Sequence, residues 1–383
     1  MLETTWFVLW GLLWAVYFVL DGFDFGMGTL LPFLAKNDEE KRIIYNAAGP
    51  YWDGNEVWLI TAGGVTFAAF PKAYAVMFSA LYAPLLILLF ALIFRAVSFE
   101  FRNKKDCPQW RKFWDACQFL GNFLPALLLG VAFANLFMGI PIDGNGVYHG
   151  NIIKLLNPYG LAGGIFFVLI FCMHGALWLA LKSEGDIHER AVGAAQVVWP
   201  LVLAVALLFL ALTAFYTNLY ANYAEHPTLL IFPILAVASL LTVRVMIWAD
   251  NLLGAWFFSA LFIITVTFFG VLGMYPGIII SSIDPAYSVT VFNGASSPLT
   301  LKIMLPRGHR LSGVGVLHLR PQGDPRKPPE GRSRVLSYVG EGRKGTLLEK
   351  GCLLPSPTPP PLILPRLLTD GEAARRESPF HCS

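Results

Sequence analysis

Long apolar runs separated by short polar connections set the character of this chain. The uncharged stretch 4–20 continues through Asp21-Gly22-Phe23-Asp24 toward a stop near Pro32, and further uncharged runs lie at 57–70, 73–94, 116–142, 155–181, 191–224, 227–243 and 252–283. All but one reach the roughly 17 residues that a helix needs to cross about 30 Å of hydrocarbon. The exception, 57–70, is 14 residues long, and at ~1.5 Å per residue it falls short. It spans only if Asp53, Asn55 and Glu56 enter with it; otherwise it is a half-buried segment. The pattern predicts an all-α fold, a polytopic integral membrane helical bundle with eight segments in residues 1–304.

Beyond residue 304 the pattern stops. Residues 305–383 hold 12 of the 26 prolines and 13 of the 28 Lys and Arg, with no run long enough to span. Such a stretch buries too little apolar surface to fold alone and reads as a disordered tail. The bulk composition agrees with the membrane reading, at 56% hydrophobic and 14% charged residues and a mean hydropathy of +0.58. Met1-Leu2-Glu3-Thr4-Thr5 has no basic n-region and the first run no small-residue cleavage site, so that run reads as a retained helix. Basic residues divide unevenly between the loops. Lys36, Lys41, Arg42, Arg102, Lys104, Lys105, Arg111, Lys112, Lys182, Arg190 and Arg244 fall on one side, and only Lys72 and Lys154 on the other. By the positive-inside rule the first side is cytoplasmic and the N-terminus outside. The basic tail would then begin on the outside, where it fits the topology badly.

Candidate chemistry lies where acids meet apolar segments. Asp21 and Asp24 are spaced to share a helix face, and Gly22 and Gly26 form a small-x-x-x-small pair that admits a close neighbouring helix. Asp53, Glu56, Arg95, Glu100 and Asp115 complete a set at segment ends. Buried acids at such depth suit proton movement. Asp53 and Glu56 also have the spacing of a capping box, and the two readings stay open here. Arg95 reads as a structural counter-ion for one of the acids. His174 is the histidine at membrane depth, and a single one reads as an interhelical hydrogen-bonding residue rather than a haem ligand. The five cysteines lack C-x-x-C spacing, and neither a zinc site nor a disulfide framework is indicated. Phosphate-loop, dinucleotide and nucleophile-elbow motifs are absent from the sequence, and no nucleic acid is expected as a partner.

Several segments together are familiar. Asp21-Gly-Phe-Asp24-Phe-Gly26, Asn37-Asp-Glu-Glu-Lys-Arg42, Tyr51-Trp-Asp53-Gly-Asn-Glu56-Val-Trp58-Leu-Ile-Thr-Ala-Gly-Gly64, Phe67-Ala-Ala-Phe-Pro71, Phe94-Arg95, Trp110-Arg111…Trp114-Asp115, Gly130-Val-Ala-Phe-Ala-Asn135, Leu155-Leu-Asn-Pro158 and Ser296 to Met304 closely resemble subunit II of the cytochrome bd-type quinol oxidases. The resemblance runs from about residue 5 to 304. It implies a bacterial inner-membrane subunit that pairs with a haem-bearing subunit I, in a complex that oxidises quinol and reduces dioxygen to water with protons taken from the cytoplasm. Haems b and d are expected on subunit I; a structural quinone on this chain and a small third subunit are options the resemblance leaves open. Carried over by motif, Asp53 is the proton-path candidate, with Trp58 beside it and Asp24, Arg95 and Asp115 as a supporting polar cluster. Some members carry Gln at the position of Glu56, which implies that its charge is not essential.

The resemblance also sets up a departure. Family members continue into a ninth apolar helix, whereas Leu305-Pro306-Arg307-Gly308-His309 begins something unrelated. The ninth helix is thus expected to be missing, and 305–383 to be a read-through or out-of-frame stretch. Two other functions are compatible with intramembrane acids in a polytopic chain. A proton-coupled secondary transporter calls for two related halves with broken helices, and no such repeat is visible. A purely structural anchor for the haem subunit would leave Asp53 as a cap alone.

Overall fold

The computed structural model describes residues 1–311, with side chains through 305. The tail expected at 305–383 lies mostly outside the described residues. Its first residues continue a helix that begins at Pro298.

Helix α1 (Leu2–Leu34) is the axis of the bundle. At ~1.5 Å per residue its 33 residues extend about 50 Å, more than a bilayer core requires. Most of its second half is buried, and it packs against α3 (Trp52–Ala69), α6 (Pro108–Met138), α8 (Pro158–Lys182) and α12 (Leu252–Met274). The small pair at Gly22 and Gly26 meets α8. A Cβ on Gly26 would strike the Phe171 backbone carbonyl, and one on Gly175 of α8 would lie 2.5 Å from the Met27 nitrogen. Two glycines thus bring two backbones into contact.

Between α1 and α3, the amphipathic α2 (Asp38–Ala48) lies under the bundle. Its start is written in the sequence: the Asn37 side chain accepts the Glu40 N–H at 2.9 Å, and Glu40 in return accepts the Lys36 N–H at 2.6 Å. The remaining elements are α4 (Pro71–Ala80), α5 (Tyr82–Phe101), the short α7 (Ile152–Leu155), α9 (Gly185–Tyr216), α10 (Leu219–Glu225) and α11 (Ile231–Trp248). A two-stranded antiparallel pair, β1 (Gly277–Ile279) and β2 (Val289–Thr290), caps one end beside the loop after α6. The last described helix is α13 (Pro298–Leu311). Ser297 accepts the Thr300 N–H and Pro298 opens its first turn, and the Trp6 indole donates to the Leu301 carbonyl at 3.1 Å.

Among the described residues seven helices are long and apolar enough to cross a membrane, against eight segments in the hydropathy pattern. The polytopic helical bundle stands, with two adjustments. The acid-bearing segment forms one helix, α3, whose first turn includes Asp53, Asn55 and Glu56; these polar residues keep it out of the apolar set. The run 73–94 is not continuous but breaks at Leu81 between α4 and α5. Pro84 lies in the first turn of α5, where its missing N–H costs no helical bond; hydropathy does not register this. The last described helix, α13, extends for 14 residues, and the expectation of a missing ninth helix falls mostly on residues outside those described.

Candidate functional site

The most highly charged place inside the bundle is where α1, α3, α5 and α6 meet. Asp21 and Asp24, a turn apart on α1, are both buried, as is Arg95 of α5. One Arg95 terminal nitrogen donates to Asp21 Oδ1 at 2.8 Å and to Glu56 Oε1 at 2.6 Å. Asn55 donates to Asp24 Oδ2 at 2.7 Å and to the Leu20 carbonyl at 3.0 Å. The guanidinium lies 4.7 Å from the centre of the Phe25 ring, and its other terminal nitrogen reaches Asn122 Oδ1 at 3.5 Å. The geometry depends on Gly121 of α6, where a Cβ would stand 2.8 Å from the Ala91 carbonyl and 2.9 Å from the Arg95 nitrogen. Only a hydrogen at that position lets α5 come close enough to α6 to hold Arg95 so deep.

Three carboxylates thus face one guanidinium, leaving two negative charges without a cation of their own in the cluster. Asp21 Oδ2 and Asp24 Oδ1 are buried without a hydrogen-bond partner. Buried charge is tolerated only when paired or neutralised, and a proton is the smallest neutralising agent. Glu56 is the member that reaches the outside, with a side chain 24% exposed.

Asp53 stands apart from this cluster. It is exposed, and its Oδ1 accepts the N–H of the next residue, Gly54, at 2.8 Å. The residue flanking the start of α3 is Tyr51, and no side chain caps that helix. The capping-box reading of Asp53 and Glu56 is therefore corrected: Asp53 sits inside the first turn, and Glu56 is turned toward Arg95 instead of back along its own helix. Trp58, half-buried on α3, makes none of the cluster's hydrogen bonds.

Asp115 belongs to a second network, toward the ends of α5 and α6. It accepts from Lys41 Nζ at 2.9 Å, from Arg102 Nε at 2.6 Å and from the Tyr45 hydroxyl at 3.3 Å. Arg102 is 1% exposed and also bonds Asp38 at 2.6 Å. Burial works against the Asp38 carboxylate, but the Arg102 hydrogen bond and the charges of Arg102, Arg111 and Arg42 outweigh it and hold its pKa below the usual carboxylate range. The structure thus joins Asp24 and Arg95 in one cluster and places Asp115 in another. Asn122 and Arg102 escaped the sequence reading. An asparagine in an apolar helix and an arginine just past one carry no spacing signal, and by loop charge alone Arg102 is an ordinary loop cation.

His174 has both ring nitrogens engaged, Nε2 donating to the Val19 carbonyl at 3.1 Å and Nδ1 against Ser259 Oγ at 2.6 Å. Its ring stacks on Trp256 at 5.3 Å. The residues present do not suit an axial haem ligand here, since either nitrogen would have to give up an interhelical bond. Among the described residues no group of three His, Cys, Asp or Glu is placed to hold a metal ion.

The sequence model described as cytochrome bd terminal oxidase subunit II matches residues 2–307. The chain belongs to that family. Among its relatives, cytochrome bd ubiquinol oxidase subunit 2 of Bacillus subtilis is 37% identical over 309 residues, covering 79% of this chain and 89% of that one. Cytochrome bd-I ubiquinol oxidase subunit 2 of Escherichia coli K12 is 35% identical over 339 residues, covering 79% and 88%. A solved bd oxidase from Geobacillus thermodenitrificans shares the fold, with a TM-score of 0.67, 17% identity and coverage of 81% of this chain and 94% of that one. As a bd oxidase subunit II, the chain is a component of a quinol oxidase complex in respiratory electron transport, and a multi-pass membrane protein.

Proposed function

We propose that this subunit supports the haem-bearing subunit I and carries protons from the cytoplasmic side toward it, with Asp53 as the entry group and the Asp21–Asp24–Glu56–Arg95 cluster as the interior station. The observation that carries this reading is the cluster itself, two acids paired with one arginine and a third, Asp24, held beside them by Asn55. An anchor needs no such excess of buried acid, which costs several kcal/mol per uncompensated ion. Helix α3 links the two places, since it presents Asp53 outward and, within one turn, Asn55 and Glu56 to the cluster. The loop-charge asymmetry puts the N-terminus outside and this end of α3 near the cytoplasm.

A bound quinone is supported in part. An apolar cavity of about 120 Å³ between α6, α8, α9, α11 and α12 is lined by rings such as Phe133, Phe166 and Phe209 and has Thr267 as its polar side chain. That suits a length of prenyl tail, whereas a whole ligand occupies roughly 300–1,000 Å³ and a head group needs more polar partners.

The test is Asp53→Ala and, separately, Asp24→Asn in the assembled complex, following oxygen consumption and the haem spectrum. Turnover lost with haem content intact supports proton delivery. Unchanged turnover in both would leave the anchor role alone. An N-terminal epitope should be reached by antibody in intact spheroplasts; protection would reverse the topology.

A further inference from the structure

The arginines whose side chains are described fall into two kinds. Arg42, Arg95, Arg102, Arg111 and Arg190 each pair with a carboxylate. Arg244, one turn before the end of α11, has no acidic partner among the described residues. It is nonetheless held in place. Its guanidinium lies 5.6 Å from the centre of the Trp199 ring on α9 and 4.9 Å from that of Trp248 on its own helix. One terminal nitrogen donates to the Gln196 carbonyl at 3.3 Å. That carbonyl stands four residues before Pro200 inside α9, and a proline has no N–H to offer it. The other guanidinium donors have no partner among the described residues.

A fixed cation without a counter-charge attracts an anion, and its surroundings say which kind. Helix α9 packs mainly on α8, and α11 mainly on α12. A furrow is left between α9 and α11, the two least buried of the membrane-crossing helices. It leads from Arg244 into the apolar cavity of about 120 Å³, which Leu203 and Leu207 line from α9 and Pro233, Val237 and Leu241 from α11. Leu207, Val237 and Leu241 are also 60%, 54% and 48% exposed, so the cavity opens toward the hydrocarbon around the bundle. From Arg244 back to Pro233 the helix advances about 16 Å at ~1.5 Å per residue, close to half of a ~30 Å hydrocarbon core. We propose that Arg244 binds the phosphate of an anionic phospholipid, with one acyl chain lying in the α9–α11 furrow and entering the cavity.

The head group decides among the apolar-tailed ligands that such a furrow admits. A quinone ring offers Arg244 neutral carbonyls, whereas a phosphodiester offers ionised oxygens, and charge-assisted hydrogen bonds are roughly twice as strong as neutral ones. A zwitterionic lipid brings an ammonium that offsets its phosphate, which favours an anionic one. The two indoles belong at the same level, since Trp and Arg both settle where hydrocarbon meets head groups. A lipid seated here bridges α9 and α11 at the place where Pro200 interrupts the α9 hydrogen-bond ladder. The site rests on the chain's place in the membrane and is independent of the role proposed for Asp53.

The test is native mass spectrometry of the intact purified complex, delipidated in detergent and titrated with dipalmitoylphosphatidylglycerol. Arg244→Gln keeps an amide that can donate to the Gln196 carbonyl but removes the charge. It should weaken the tightest phosphatidylglycerol step about fivefold, the contribution of one basic residue at a membrane surface, and Arg244→Lys should restore most of it. Phosphatidylcholine with the same chains should bind both proteins alike. Leu207→Trp, which fills the cavity mouth and leaves Arg244 in place, should weaken phosphatidylglycerol as well, and it carries the test if Arg244→Gln does not assemble. Excess inorganic phosphate should leave the bound lipid in place. Unchanged phosphatidylglycerol binding in Arg244→Gln or in Leu207→Trp, an equal loss for phosphatidylcholine, or displacement by inorganic phosphate each overturns the site. Loss of co-purified quinone from Arg244→Gln, with phosphatidylglycerol binding intact, would assign the furrow to the quinone instead and overturn it too.

Discussion

At the scale of single residues the centre of gravity is Arg95, which holds Asp21 and Glu56 on one nitrogen. Removing one partner of a buried ion pair strands the others, at about 3–5 kcal/mol. Arg95→Met should therefore destabilise the subunit by that order, read as a lower thermal midpoint of the complex or a loss of haem-containing assembly; retention of the wild-type midpoint would refute it. Glu56→Gln should be mild by the same measurement, because the amide oxygen still accepts from the guanidinium and the side chain is partly hydrated. Much of this site was legible in the sequence. The three-residue spacing of Asp21 and Asp24 announced a shared face, and an arginine at the end of an apolar run announced a counter-ion. What could not be read was which acid meets which base. Asp115 and Arg95 looked like neighbours in a list, but their helices place them in different networks, and only the crossing at Gly121 determines how deep Arg95 sits.

At the scale of elements, helix contacts divide into those made by backbone and those made by side chains. Gly26 and Gly175 form the α1–α8 crossing, and a methyl at either meets main chain that cannot rotate away. Gly26→Ala should cost at least the ~1–3 kcal/mol of ordinary overpacking. Gly193 of α9 has nothing within 4 Å of where a Cβ would stand, so Gly193→Ala should instead stabilise by about 0.8–1 kcal/mol through helix propensity. Thermal midpoints of the two variants moving in the same direction would contradict the distinction. The sequence exposed the α1 contact because small residues four apart have one common use in a membrane. It hid the break at Leu81, because apolar residues run unbroken across it. It also left α3 ambiguous, since hydropathy weighs Asp53 and Glu56 equally although one faces outward and the other pairs with Arg95.

At the scale of the whole molecule, α2 acts as a clip across the ends of the long helices. Asp38 draws Arg102 from the end of α5, Arg111 from the start of α6, at 3.5 Å, and Arg42 from its own helix, at 3.9 Å. Glu40 takes Arg190 of α9 at 2.7 Å, and Arg190 also donates to the Leu34 carbonyl at the end of α1 at 2.9 Å. Three long helices thus converge on two carboxylates outside the membrane, and the end of α1 joins them through Arg190. Both are held below their ordinary pKa: Asp38 against its burial by the arginines, and Glu40 first by the Lys36 N–H and then by Arg190. A depressed folded-state pKa means that the clip's contribution is fully present above the unfolded values of about 3.9 and 4.3, and is lost as pH falls through the lower folded values. The thermal midpoint of the complex should therefore drop as pH is taken down through that window. An Asp38→Asn, Glu40→Gln double variant should start lower at pH 7 and fall less steeply, so that the two curves converge in acid. Parallel curves across the window would mean that the acid sensitivity lies elsewhere and that α2 is held by its apolar face, through Ile44 and Tyr45, and not by its charges.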